Sequence, residues 1–349
     1  MKTNSGNFFE DFRLGQKLKH ATPRTLTEGD RALYTALYGS RFALQSADSF
    51  AKRLDYKQSP LDDLLVFHTV FGKSVPDVSL NAVANLGYAE GRFLKSVYPG
   101  ASLSAESEVI GLKENSNRQT GVVYVRTQGF DEDGAAVLSY VRWVMVRKRD
   151  PEAPVGEAHV PKLESVVPIK SLAVPHDEKW DACDMALSGS PHLWDDYAVG
   201  EKIDHVDGMT VEEAEHMLAT RLYQNTARVH FNQFTEGKGR FGKRLIYGGH
   251  VISVARALSF NGLANAFAIA AINGGRHVNP LFAGDTVFAW SKVLDRQPIA
   301  GRSDIGALRL RLVATKNLPC ADFPDKNADG QYPDNVILDF DYWAFAPRR

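Results

Sequence analysis

The stretch NTARVHFNQFTEGKGRFGKRLIYGGH, from Asn225 to His250, holds glycines, basic residues and histidines at spacings that could do chemistry. Gly237, Gly239 and Gly242 spell G-x-G-x-x-G, the spacing with which a loop wraps a dinucleotide pyrophosphate at a helix start. Gly237, Gly242 and Lys243 give most of G-x-x-x-x-G-K, the phosphate loop of nucleotide-binding proteins. The two motifs exclude each other, and each fails on its own terms. A dinucleotide fingerprint follows a strand, but FNQFTE before Gly237 has no strand alternation. A phosphate loop needs Ser or Thr after its lysine, and Arg244 stands there. What remains is a flexible basic loop. Lys238, Arg240, Lys243 and Arg244 are either a solvated face or an electrostatic contact for phosphates. The flanking histidines, His230 and His250, suggest a third chemistry, proton transfer near neutral pH.

The elements that must position these residues occur twice. FEDFRLGQKL (9–18) matches WDDYAVGEKI (194–203): Asp11 with Asp196, Gly15 with Gly200 and Lys17 with Lys202, each 185 positions apart. TLTE (25–28) and TVEE (210–213) keep that offset. Gly91, Arg92 and Gly100 match Gly275, Arg276 and Gly284 at 184, and Trp143 matches Trp343 at 200. The last jump is an insertion, PCADFPDKNADGQYPDN (319–335), whose Pro, Asp, Asn and Gly content reads as loop. Blocks in one order with slowly drifting offsets indicate duplication. Residues 1–150 and 193–349 are thus two copies, joined by a proline-rich, mostly extended linker over 151–192.

Each copy runs from a capped helix start, TEGD or TVEEAE, to an apolar helical segment, LLVFHTVFGKSV (64–75) or LIYGGHVISVARALSFNGL (245–263). Alternating runs follow: ASLSAESEVIGL, GVVYVRTQGF and VLSYVRWVMVRK in the first copy, and GDTVFAWSKVLD, ALRLRLVATKN and VILDFDYWAFA in the second. Their period is that of half-buried strands. A long helix wrapped by a curved antiparallel sheet is an α+β unit. Two such units can pair side by side through their sheets within one chain.

Composition narrows the function. The 349 residues carry a net charge of −1, so no global field favours nucleic acid or an acidic membrane surface. The N-terminus lacks a basic region followed by an apolar core, and LANAFAIAAI (263–272) is too short to span a bilayer. Cys183 and Cys320 form no disulfide framework and no metal-ligand spacing, which fits a reducing cytoplasm.

Asn225 and His230, five residues apart in QNTARVHFNQ, and the downstream IYGGHV together resemble the MaoC-like (R)-specific enoyl-CoA hydratases. Their signature sets an Asp five residues before a His, followed by Ile-x-His-Gly opening a central helix. His230 falls on the family's His and Asn225 on its Asp. Ala227-Arg228 replaces Asn-Pro, Ile246 falls on the Ile, Gly248 on the His and Gly249 on the Gly. Longer stretches, among them ATPRTLTEGDRALYTALYGSRFALQSAD, PLDDLLVFHTVFGKSVPDVSLNAVANLGYAEGRF and VLSYVRWVMVRKRDP, are similar to the mesaconyl-CoA hydratase branch of that family, over essentially the whole chain. The resemblance implies a double hotdog fold and reversible hydration of a C5 acyl-CoA without metal or redox cofactor. An acyl-CoA thioesterase and a non-catalytic acyl-CoA-binding protein on the same fold are the alternatives. An internal pseudo-dimer, with possible further homodimerisation, is the expected assembly.

Hydration of an enoyl thioester puts negative charge on the thioester oxygen, which a backbone N–H at a helix start can hold. Gly249 fits that place because lacking Cβ admits substrate. His230 serves as acid–base, and Asn225 can orient water but cannot exchange protons usefully. A carboxylate from elsewhere is the other possibility, with Glu236 and Asp48 as candidates. The first copy carries Ser40 against Asn225 and Gln45 against His230, and a helix offset reduced to 182 sets Phe67 against Gly249. The second copy is therefore expected to be catalytic and the first to shape the acyl pocket. Arg228 and Arg41 are candidate grips for a substrate carboxylate. Arg92 and Arg276 are either structural or phosphate contacts, and the basic loop would meet coenzyme A phosphates. His68 and His250, on apolar helical segments, are expected to pack in the core.

Overall fold

The structure is a computed structural model describing residues 2–349. Thr27 caps the helix Glu28–Tyr38, and the Thr27 N–H donates to Asp30 at 2.7 Å, closing a capping box. Glu213–Leu222 holds the matching place, with the Glu212 N–H donating to Glu215 at 3.1 Å. The two central helices are Asp63–Ser74 and Gly248–Leu258, both deeply buried. Their starts keep the offset of 185 at which His68 meets Ser253 across the molecule. Gly249 therefore matches Leu64, not Phe67, because no residues are lost between the first blocks and the helices.

The strands are β1 (Lys17–Thr25), β2 (Ala82–Phe93), β3 (Ser102–Glu114), β4 (Thr120–Phe130), β5 (Ala136–Arg147), β6 (Lys202–Asp204), β7 (Met209–Thr210), β8 (Ala268–His277), β9 (Thr286–Ile299), β10 (Arg302–Lys316) and β11 (Val336–Pro347). They form one antiparallel sheet in the order β1-β3-β4-β5-β2-β8-β11-β10-β9-β6, with β7 pairing β9. The alternating runs of the sequence are β3, β4, β5, β9, β10 and β11. The halves join where β2 pairs β8, Tyr88 opposite Gly275 and Gly91 opposite Ile272. The repeat-matched glycines explain the close seam. A Cβ on Gly91 would lie 2.8 Å from the Ile272 Cβ, and one on Gly275 2.9 Å from the Tyr88 ring.

Neither β2 nor β8 alternates cleanly, because β8 is covered on both faces. One face takes the central helices. The other takes the second core cluster, in which linker residues Val167, Leu172 and Trp180 meet Phe267, Ala271 and Trp343. The linker is extended, and it is tied down: the Trp343 indole donates to the Val167 carbonyl at 3.1 Å, and the Val167 N–H donates to Asn273 at 2.8 Å. The duplication is visible in paired detail. His20 and His205 bond the matched Ser107 and Ser291 at 2.7 and 2.8 Å, and the Tyr38 and Tyr223 hydroxyls meet at 2.8 Å. This is the double hotdog architecture, α+β.

Candidate active site

Asn225 follows the helix Glu213–Leu222 through a left-handed turn at Gln224, whose φ is +51°. Its side-chain oxygen accepts the Ala227 N–H at 2.9 Å, an Asx turn that fixes the amide. The Nδ2 group is buried and has no partner, although only 5% of the residue is exposed. An amide so held presents two N–H donors to whatever lies beside it.

His230 ends the short turn Arg228–His230. Its Nδ1 lies 2.9 Å from the Leu245 carbonyl, which can only accept, so Nδ1 carries the proton and Nε2 keeps a free lone pair. The Leu245 N–H donates to Val229 at 3.0 Å. These bonds close the neck of the basic loop, so residues 231–244 are an excursion between Asn225–His230 and the second central helix. Burial pushes the His230 imidazole down to about 4, the Leu245 bond opposing it. The ring stands edge-on to Tyr247 at 5.4 Å.

Tyr247 precedes the second central helix and offers its first N–H groups no side-chain cap. In the first half the matching cap, Asp62, accepts the Leu64 N–H at 2.9 Å. The Gly249 N–H, at the Leu64 position, has no such carboxylate. A Cβ at Gly249 would strike the Tyr247 ring and lie 2.6 Å from His68 Nδ1. Close packing from beneath thus requires glycine here.

His277, at the end of β8, was not singled out by sequence. Its Nε2 stands where a Gly248 side chain would begin, and lies 3.4 Å from the Tyr88 hydroxyl of β2. Burial, with His230 adding repulsion, pushes it to about 4. The available signal was repeat asymmetry, since Gly275-Arg276-His277 faces Gly91-Arg92-Phe93. Arg142 was also missed; it is fully buried on β5 behind Tyr88 and Tyr247.

His68 and His250 lie in the core, held to about 3 by burial. His68 meets Ser253 at 3.1 Å and Tyr247 at 3.4 Å, and His250 meets Tyr38 at 3.3 Å. Arg41 does not join the site. It is exposed over Phe260, 4.5 Å from the ring, beyond the far end of the helix that Gly249 begins. That 11-residue helix spans about 16 Å. Asp48 does not join it either, being exposed and paired with Arg31 at 3.1 Å. Glu236 sits on the excursion loop, where its backbone bonds Asn232. Arg228 is exposed beside His230 and makes no ion pair among the described residues.

Of the basic loop, Arg244 is committed to Glu213. Lys238, Arg240 and Lys243 are exposed and rest over Phe234, Phe241 and Phe282 at 4.3, 5.1 and 4.3 Å. Phe234 is itself 78% exposed, an aromatic face left open to solvent beside unpaired cations. Among the described residues no helix is long and apolar enough to cross a membrane, and no three acidic, His or Cys side chains are grouped to hold a metal ion.

Comparison with known proteins follows the same lines. A family model described as mesaconyl-CoA hydratase matches residues 2–319. The chain is 64% identical to the beta-methylmalyl-CoA dehydratase of Chloroflexus aurantiacus, covering 100% of this chain and 99% of that protein. It is 61% identical to the mesaconyl-CoA hydratase of Cereibacter sphaeroides, covering 100% of both. A solved MaoC domain protein from Chloroflexus aurantiacus superposes with a TM-score of 0.98 at 63% identity, over 100% of this chain and 99% of that one. A double hotdog protein from Mycobacterium tuberculosis, 24% identical with a TM-score of 0.74 over 97% and 98% of the chains, shares the fold.

Proposed function

Since the chain belongs to the mesaconyl-CoA hydratase family, we propose that it is a hydro-lyase that reversibly adds water to mesaconyl-CoA, forming β-methylmalyl-CoA, with Gly249, His230 and Asn225 as its working groups. The observation that carries this assignment is the pairing of an uncapped helix start at Gly249 with a histidine whose free nitrogen is Nε2.

The thioester oxygen accepts the Gly249 N–H and meets the positive end of the helix, where enolate charge develops. Asn225 donates an N–H to the incoming water and holds its lone pair toward the β-carbon. His230 Nε2 takes the water proton as the C–O bond forms. The resulting imidazolium is disfavoured by burial, so it is a strong acid, and the adjacent enolate offsets its charge until the proton passes to the α-carbon. One imidazole thus carries both proton steps, and no carboxylate is required in the position Asn225 fills. The unpaired Lys238, Arg240 and Lys243 would meet coenzyme A phosphates, with Phe234 as a stacking face for its adenine.

The test is incubation with mesaconyl-CoA and crotonyl-CoA, following water addition by mass and loss of the conjugated thioester absorbance. The expected result is addition to mesaconyl-CoA with the thioester intact. No addition to either ester overturns the hydratase assignment, and release of free thiol assigns a thioesterase.

A further inference from the structure

Arg142 carries a charge that no acid among the described residues pairs with. It is fully buried, its Nη2 donates to Ser74 at 2.8 Å, its Nη1 to Ser79 at 3.2 Å, and its Nε has no partner. The guanidinium lies 4.2 Å over the Phe71 ring. Tyr140, two residues earlier on the same face of β5, is fully buried, its hydroxyl close to Thr127 and Ser74 but without a well-formed hydrogen bond. Burying a guanidinium without a counter-charge is costly, and unpartnered donors deep in a fold call for an explanation.

The other half supplies one. By the repeat, Arg142 matches Tyr342, Phe71 matches Arg256 and Ser74 matches Ser259. The arginine-on-aromatic pair is present in both halves with its members exchanged: Arg256 lies 5.7 Å over Tyr342 and donates to Ser259 at 3.0 Å. Arg256, however, has acids beside it. Asp62 and Asp63, at the start of the first central helix, both feel its field, and burial raises both carboxyls, Asp63 to about 8. The positions matching these two acids beside Arg142 are Tyr247 and Gly248. One pseudo-symmetric chamber keeps its arginine and its acids, and the other keeps the arginine alone.

That second chamber adjoins the reaction site. Tyr247 packs on His230 and lies 5.9 Å from Phe71, while Tyr88, 6.3 Å from Phe71, reaches His277. We propose that the free carboxylate of a dicarboxylic acyl-CoA takes the place of the missing acid, accepting from Arg142 Nε and the Tyr140 hydroxyl. This rests on the hydratase assignment for the identity of the ester, and it moves the carboxylate grip from the surface residues Arg228 and Arg41 to the interior. The Arg142 side chain then selects esters with a carboxylate at the end of a four-carbon acyl chain over simple enoyl esters.

The probes are succinyl-CoA and butyryl-CoA, saturated esters of one chain length that differ in the terminal carboxylate and undergo no hydration. Calorimetry on the full chain should show wild type binding succinyl-CoA more tightly, and R142M losing about 10-fold or more of that preference. R142K should restore part of it, and Y140F, which keeps the charge, should lose a smaller part. In turnover, R142M should lower kcat/KM for mesaconyl-CoA far more than for crotonyl-CoA. Equal affinity of wild type for the two saturated esters, or an equal loss of both in a folded R142M, overturns the proposal. A wild type that prefers succinyl-CoA yet hydrates nothing would overturn the hydratase assignment and leave Arg142 as a carboxylate site.

Discussion

The protonation state of His230 can be read from the pH dependence of the reaction. In the free protein its imidazole is pushed from the ordinary 6.5 down to about 4, by burial first. The base is the neutral form. Were the pKa 6.5, only about 9% of the imidazole would be neutral at pH 5.5 and kcat/KM would fall roughly tenfold from its value at pH 7.5. With a pKa of about 4, about 97% is neutral at pH 5.5, and kcat/KM stays within a few per cent of its value at pH 7.5. The assay is the initial rate of loss of conjugated thioester absorbance at low substrate, at half-unit steps from pH 5 to 8. Enzyme pre-incubated at each pH and returned to pH 7.5 controls for acid inactivation. That control matters because His68 and His250 are neutral in the fold and become protonated on unfolding below 6.5, so protons favour the unfolded chain there. A reversible fall in kcat/KM with a midpoint near 6.5 would refute the view that His230 is held neutral with Nε2 ready to accept.

Three further outcomes are expected. His230→Ala should lower turnover by roughly 100-fold or more, as loss of general acid–base catalysis does, with the fold retained by circular dichroism. Gly249→Ala should cost at least as much, because the added methyl meets Tyr247 and His68 and turns the N–H away from the thioester; kcat should fall more than substrate affinity. Replacing Lys238, Arg240 and Lys243 together by Ala should raise KM for coenzyme A esters by about 10-fold or more at low salt. It should leave the KM of the short N-acetylcysteamine thioester unchanged, since that ester lacks phosphates, and an equal rise for both would remove the loop from coenzyme A recognition.

The fold was legible where one face of an element meets solvent. β3 and β4 alternate because each has a covered and an open side, and Thr27 with Asp30 announces its helix, whereas β5 and β11 are buried along most of their length. The seam strands were not legible: β8 is covered on both faces and reads as a plain apolar run, and β2 carries glycines set by contact with β8. In the site, Asn225, His230 and Gly249 share one local stretch, so spacing exposes them. His277 and Arg142 are brought in by strand pairing from distant segments, and a lone His or Arg in a strand says nothing of its neighbours. Arg41 misled because its repeat partner region is near the site while it lies beyond the opposite end of the helix.

The linker makes one polypeptide, paired through the β2–β8 seam, out of what two identical subunits would otherwise assemble. In a symmetric pair every substitution appears at both centres, so an aspartate that quiets one would silence the other. Covalent fusion removes that constraint. Asp62 and Asp63 could stay beside Arg256 while Tyr247 and Gly248 took their places in the twin, and Gln45 could stand where the proposed base, His230, stands in the other half. On the proposed assignment the first half still furnishes Tyr88, Tyr140 and Arg142, so it would act as the wall of a room whose working groups belong to its sibling.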